Sequence, residues 1–279
     1  DIFRRLTGGQ REDGPGHNGA GGAGKDESAY TPGGPEVGQS ESGATVYKYD
    51  VPPDEREGLR PPQMDEAALA MIDSHIERYV AGEGSGEGLV WHEIISNLVH
   101  IDVHVTPPSE ERPYYTLITS GMSDLPMNVP PAAEDQKHAE LLLCLPADWP
   151  LMGENYQMLP DDESYWPVHT LKFLARFPHE YSTWLGVGHT VPNGDPPQPF
   201  AEGVGFTGVV LLPPVLFEEE FFRLPVRAGK TIQFLAVVPL YESEMDFKLK
   251  HGLDALLDRF DENDVTELID VHRPNVCPE

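Results

Sequence analysis

Three histidines, a glutamate and an aspartate fall within fifteen positions in WHEIISNLVHIDVHV, residues 91–105. The stretch LVHIDVHV alternates, with Val99, Ile101, Val103 and Val105 on one side of an expected strand and His100, Asp102 and His104 on the other. Residues two apart on a strand face are separated by about 6–7 Å, and imidazole and carboxylate are the groups that zinc or a non-haem iron would take. A metal-dependent enzyme built on His100, Asp102 and His104 is one reading. The other is a half-exposed strand face carrying polar side chains. The helical HExxH pattern is absent, because His92-Glu93 is followed by Ser96 where a second histidine would stand.

Other motifs are weaker still. GVGFTG (203–208) matches G-x-G-x-x-G by letter, but no apolar strand precedes it and the apolar run VVLLPP follows, with no helix N-terminus to hold a pyrophosphate. SGMSDL lacks the second glycine of a nucleophile elbow at Ser123. The acids in EEEFF and in DDE (161–163) read as solvated surface. TSGMSDLPM (119–127) carries more: a Gly- and Ser-rich loop directly after an expected strand is a place where a rigid scaffold can hold a ligand or peptide.

The elements that must position these residues follow from periodicity. Asp65 is a fit N-cap for a helix striped by Leu69, Ile72, Ile76, Tyr79 and Val80. LVHIDVHV and YYTLITS form an expected antiparallel hairpin, and the continuous apolar run AELLLCLP (139–146) a central strand covered on both faces. YWPVHTLKFLARFP is an expected helix closed by Pro178, followed by strands at 206–213 and 231–240. A long helix from Glu242 to Phe260 and a short final strand in TELIDVHRP complete the order. The expected fold is α+β: a mixed, mostly antiparallel sheet with packed helices, a single domain preceded by a disordered linker.

That linker is residues 1–60, which hold nearly half of the 27 glycines and almost no apolar periodicity beyond Ile2, Phe3 and Leu6; the folded domain is expected over 61–279. The absence of an initial methionine fits a chain that continues upstream. Net charge is −28, and residues 61–279 contain 36 acids against 12 bases. Such a field repels nucleic acid and anionic lipid and attracts basic partners. No apolar run reaches the roughly 18–20 residues of a membrane span. Two cysteines, Cys144 and Cys277, make no disulfide framework, which fits a reducing cytoplasm.

Several segments together resemble the bacterial branch of the suppressor of fused family: HEIISNLVHIDVHV, YYTLITSGMSDLPM, AELLLCLPADWPL, YWPVHTLKFLARFPHEYSTWLGVGHTVPNG, PLYESEM and LIDVHRPN. The resemblance covers roughly residues 85–276. It implies a mixed α/β domain without known catalysis or cofactor that binds another protein. The animal member holds a peptide as an added strand between two domains, whereas this chain is expected to have one. The bacterial members are thought to act as immunity proteins against secreted toxins. The expectation is therefore an acidic cytoplasmic immunity protein or antitoxin, with no metal and no cofactor, neutralising a basic toxin partner. The alternatives are the metal-dependent enzyme and a regulatory scaffold. The expected binding surface comprises Gly121, Met122, Ser123 and Asp124, with His104 nearby and Trp149 and Trp166 as aromatic anchors.

Overall fold

The structure, a computed structural model, describes residues 33–49, 64–82, 89–93, 98–151 and 163–278. In chain order these form β1 (Glu36–Gln39), β2 (Thr45–Tyr47), α1 (Glu66–Ile76), β3 (Leu89–Trp91), β4 (Asp102–Thr106), β5 (Tyr114–Ser120) and β6 (Ala139–Pro146). There follow α2 (Trp166–Glu180), β7 (Thr190–Pro192), β8 (Gly208–Leu212), β9 (Arg223–Arg227), β10 (Lys230–Leu240), α3 (Glu242–His251) and α4 (Leu253–Glu262).

Eight strands make one mixed, mostly antiparallel sheet in the order β3-β4-β5-β6-β10-β8-β7, with β9 paired to the first residues of β10. The β6–β10 pair is parallel. As its unbroken apolar run requires, β6 is buried on both faces from Ala139 to Leu145. One face carries Ile118, Leu142, Phe234 and Ala236, which pack under Ala68, Ile72 and Ile76 of α1 and Val80 in the turn that follows it. The other carries Val103, Val105, Leu117, Leu141 and Leu143 against Val168, Leu171, Leu174 and Ala175 of α2. Each fully buried side chain of this size contributes about 1.5–3 kcal/mol of transfer free energy, so the two helices fix the sheet between them. A third cluster seats Met245, Leu256, Leu257 and Phe260 of α3 and α4 on Val210, Val238 and Leu240.

Asp65 caps α1 as its position predicts, accepting from Ala68 N at 3.2 Å. It also meets Arg227 at 2.7 Å and the buried Lys230 at 2.9 Å. Hydrogen bonds from Arg227 and then Lys230 hold its carboxyl well below the ordinary range. The start of α1 is thereby tied to the β9–β10 hairpin.

Four expectations change. Residues 33–49, read as linker, form the β1–β2 hairpin and dock: Tyr49 Oη lies 2.7 Å from Thr183 Oγ1 and its ring contacts Phe177 and Tyr181, while Ser42 N donates to Leu249 O at 3.0 Å. The rest of that expected linker, with Ile2, Phe3 and Leu6, lies outside the described residues. The single helix from Glu242 breaks at Gly252, whose φ of 88° is open to glycine, because one glycine within a continuing apolar stripe hides the break. The helix α2 runs two residues past Pro178 to Glu180, although Pro178 has no N–H to donate to Leu174 O, so the proline ends it within the turn without stopping it at once. The final strand reduces to one parallel bridge, Cys144 with Leu268.

Candidate functional site

The loop after β5 is gripped from every side by buried polar groups. Gly121 adopts φ 104°, and a Cβ there would sit 1.8 Å from His100 O, so only glycine lets this loop cross the chain at His100. Glu140, wholly buried at the start of β6, accepts from Gly121 N (3.0 Å), Ser123 N (2.9 Å) and Thr119 Oγ1 (2.7 Å). Burial raises its carboxyl above the usual range while these donors pull it back. His138 Nδ1 donates to Ser123 O at 3.0 Å, and His179 Nε2 of α2 donates to Met122 O at 2.9 Å. Burial pushes both imidazoles down to about 4, so each stands neutral with its one N–H committed to the loop. The Met122 side chain is fully buried in the core beneath.

What this rigid turn presents is Asp124 and Leu125. Asp124 is half-buried, and its Oδ1 accepts from Asp65 N at 3.3 Å. Desolvation is the largest influence on its carboxyl and raises it. Leu125 is 38% exposed, and Met64, which lines a small cavity with Asp124, Gly121, His100 and Asp102, is 51% exposed.

Beside the loop, Asp102 at the start of β4 is buried between two imidazoles. His92 Nδ1 lies 2.9 Å from Oδ2, and His100 Nε2 lies 3.0 Å from Oδ1, which also accepts from Glu93 N at 2.9 Å. Glu93 returns the bond by accepting from Ile101 N at 3.0 Å and pairs with Arg176 of α2. The period-two reading grouped His100 and Asp102 with His104, but the structure gives His104 other company. Its Nε2 meets Ser120 Oγ at 2.8 Å, its Nδ1 lies 3.5 Å from Asp73, and burial lowers its basicity. The groups able to share an ion are His92, His100 and Asp102. His92 joins them because β3 runs antiparallel to β4 and ends beside Asp102, a pairing that the sequence does not display.

Of the expected surface, Gly121 and Asp124 lie together at this end of the sheet. Met122, Ser123 and His104 lie there too, but buried. Of the aromatic anchors, Trp166 is corrected, being buried and stacked on Phe200 with centroids 4.9 Å apart; Trp149 is partly buried, packs edge-on to Trp166 and donates Nε1 to Ser164 O at 2.9 Å. Both lie in or against the α2 core, where their size and amphipathic rings are used in packing. Sequence reasoning missed Leu125 and Met64, since nothing in a lone apolar letter says that it stays outside. The glycines of GVGFTG lead into β8 as expected, with Gly205 pressed on the Tyr241 ring.

The sequence profile of the suppressor of fused protein (SUFU) matches residues 97–274, well over half of the chain. The chain belongs to the suppressor of fused family. No curated protein sequence matches it. Solved SUFU structures share the fold: a homologue from Neisseria gonorrhoeae is 16% identical with TM-score 0.54, covering 77% of this chain and 97% of that one. A Sufu–Fu complex is 13% identical with TM-score 0.53, covering 75% and 91%. Drosophila Suppressor of Fused is 14% identical with TM-score 0.52, covering 75% of this chain and 51% of that longer one. One SUFU homologue is thus seen with a protein partner. No described helix is long and apolar enough to cross a membrane.

Two SUFU-like segments, PLYESEM and LIDVHRPN, prove to be one structural lock. Arg273 pairs bidentately with the buried Glu244, both bonds 2.6 Å, and donates to Pro239 O at 2.9 Å. Its guanidinium lies over the rings of Phe206 and Tyr241 at 4.9 and 5.0 Å. Glu244 also accepts from Tyr241 N and Val276 N, which ties α3 to the chain end.

Proposed function

We propose that this protein is a non-catalytic binding module whose protein partner docks on the end of the sheet formed by Asp124, Leu125, Met64 and the Gly121 turn. The observation that carries the reading is Asp124: a carboxylate held half-desolvated on a clamped loop, with one backbone amide as its hydrogen-bond donor and exposed apolar side chains beside it. A partner cation would supply the missing compensation, and Leu125 and Met64 would exclude water around it, the composition of an interface hot spot. The acidic balance of residues 61–279 supports a basic partner, steered in over a distance of about a Debye length. Within that reading the protein is a cytoplasmic immunity protein that neutralises a basic toxin. The Sufu–Fu complex supports the coarser statement that this fold serves protein recognition.

Co-expression tests the finer statement. Expressed alone in a host cell, a basic toxin encoded beside this gene should arrest growth, and this protein should restore it while the Asp124→Lys variant does not. Binding to the neighbouring gene product without rescue would sink the immunity role and leave the binding role standing.

A further inference from the structure

The His92–His100–Asp102 cluster lies outside the proposed docking residues and has a chemistry of its own. Three ligand atoms, His92 Nδ1, His100 Nε2 and an Asp102 oxygen, lie within 4.8 Å of one another. The two nitrogens approach the carboxylate at 2.9 and 3.0 Å from its two oxygens. Around a tetrahedral zinc ion, ligand atoms at about 2.0–2.1 Å from the metal stand roughly 3.3–3.4 Å apart, so each imidazole moves a few tenths of an ångström from its own carboxylate oxygen, while ligand atoms now up to 4.8 Å apart close towards that spacing, a shift that rotation of the exposed His92 side chain can supply. The supporting shell is in place: Glu93 N holds Oδ1, and Glu93 is itself fixed by Ile101 N and Arg176, which orients the carboxylate independently of the histidines. Access differs usefully among the three. The Asp102 side chain is 7% exposed, that of His100 24% and that of His92 72%, so the cluster is anchored at its base and open to water at its mouth.

We propose that His92, His100 and Asp102 form a binding site for one divalent transition-metal ion of the zinc type, with the open side filled by water or a partner group. On binding, each imidazole turns a ring-nitrogen lone pair to the metal and carries its proton on the other ring nitrogen, so neutral histidines bind without net proton release. The ion would pin the end of β3 to the start of β4 beside the Gly121 turn.

Isothermal titration of Zn2+ into the tag-free, chelator-treated full chain tests it. The expected result is saturation at one ion per chain, weakened at least about tenfold by His92→Ala and by His100→Ala and unchanged by His104→Gln, which keeps a partner for Ser120. His92 is exposed and its one described bond is to Asp102 Oδ2, so His92→Ala should stay folded without zinc with at most a small drop in melting temperature, and it keeps the test interpretable should His100→Ala fail to fold. Absence of saturable binding, or binding that survives His92→Ala undiminished, overturns the site and leaves the proposed docking function unaffected.

Discussion

Three buried side chains, Glu140, His138 and His179, determine whether the loop at 121–124 has a shape. Glu140→Ala removes the acceptor of two backbone amides and a hydroxyl, of which Ser123 N and Thr119 Oγ1 are buried. Unsatisfied buried donors cost about 1–3 kcal/mol each, so a loss on the order of 3 kcal/mol or more is expected in urea denaturation. The histidines make the loop sensitive to acid. Their folded pKa values of about 4 lie below the ordinary 6.5, so the stability they contribute is complete above about pH 6.5. As pH falls from there towards 4, the unfolded chain takes up protons that the folded chain refuses, and stability drops. His179→Gln keeps a donor for Met122 O and removes one titration, so its unfolding midpoint should vary less between pH 7 and pH 4.5 than that of the wild type; an equal slope would mean that His179 is not held neutral. The loop was legible in SGMSDL, but its holders were not. Glu140 is one polar letter in AELLLCLP, and His138 and His179 come from distant elements that only the fold brings together.

At the level of elements, the β1–β2 hairpin converts part of a glycine-rich stretch into packed structure through few residues. Tyr49 is its main anchor, with ring centroids 5.1 Å from Phe177 and 5.5 Å from Tyr181. Tyr49→Ala should cost on the order of 2 kcal/mol, less than a fully buried aromatic because the ring is half-exposed, and should speed proteolysis within residues 33–49. No change in either measurement would detach the hairpin from the fold. Elements with strong periodicity were readable: α1 and its cap, the β4–β5 hairpin, β6 and α2. What escaped was short or unpatterned. In β1 every residue is exposed, and β7 and β9 are a three-residue strand and a five-residue strand, each containing a proline. The α3–α4 break depends on the φ of one glycine, while Leu249 and Leu253 continue the stripe across it. The final strand was overread because Glu267, Leu268 and Ile269 alternate as a strand would yet pair only at Cys144.

For the whole molecule, the acidic balance favours basic partners without singling out one face. The acidic field acts over the entire surface and would speed encounter with a basic partner, an effect that falls steeply with salt. Asp124 is where that general attraction would become a specific contact. Titrating the partner into wild-type protein and into the Asp124→Lys variant, with circular dichroism to verify that the variant is folded, tests whether Asp124 makes that contact. The expected result is a folded variant whose affinity falls by about 2 kcal/mol or more, roughly thirtyfold, at physiological salt. A folded Asp124→Lys protein that binds the partner as tightly as the wild type would contradict it.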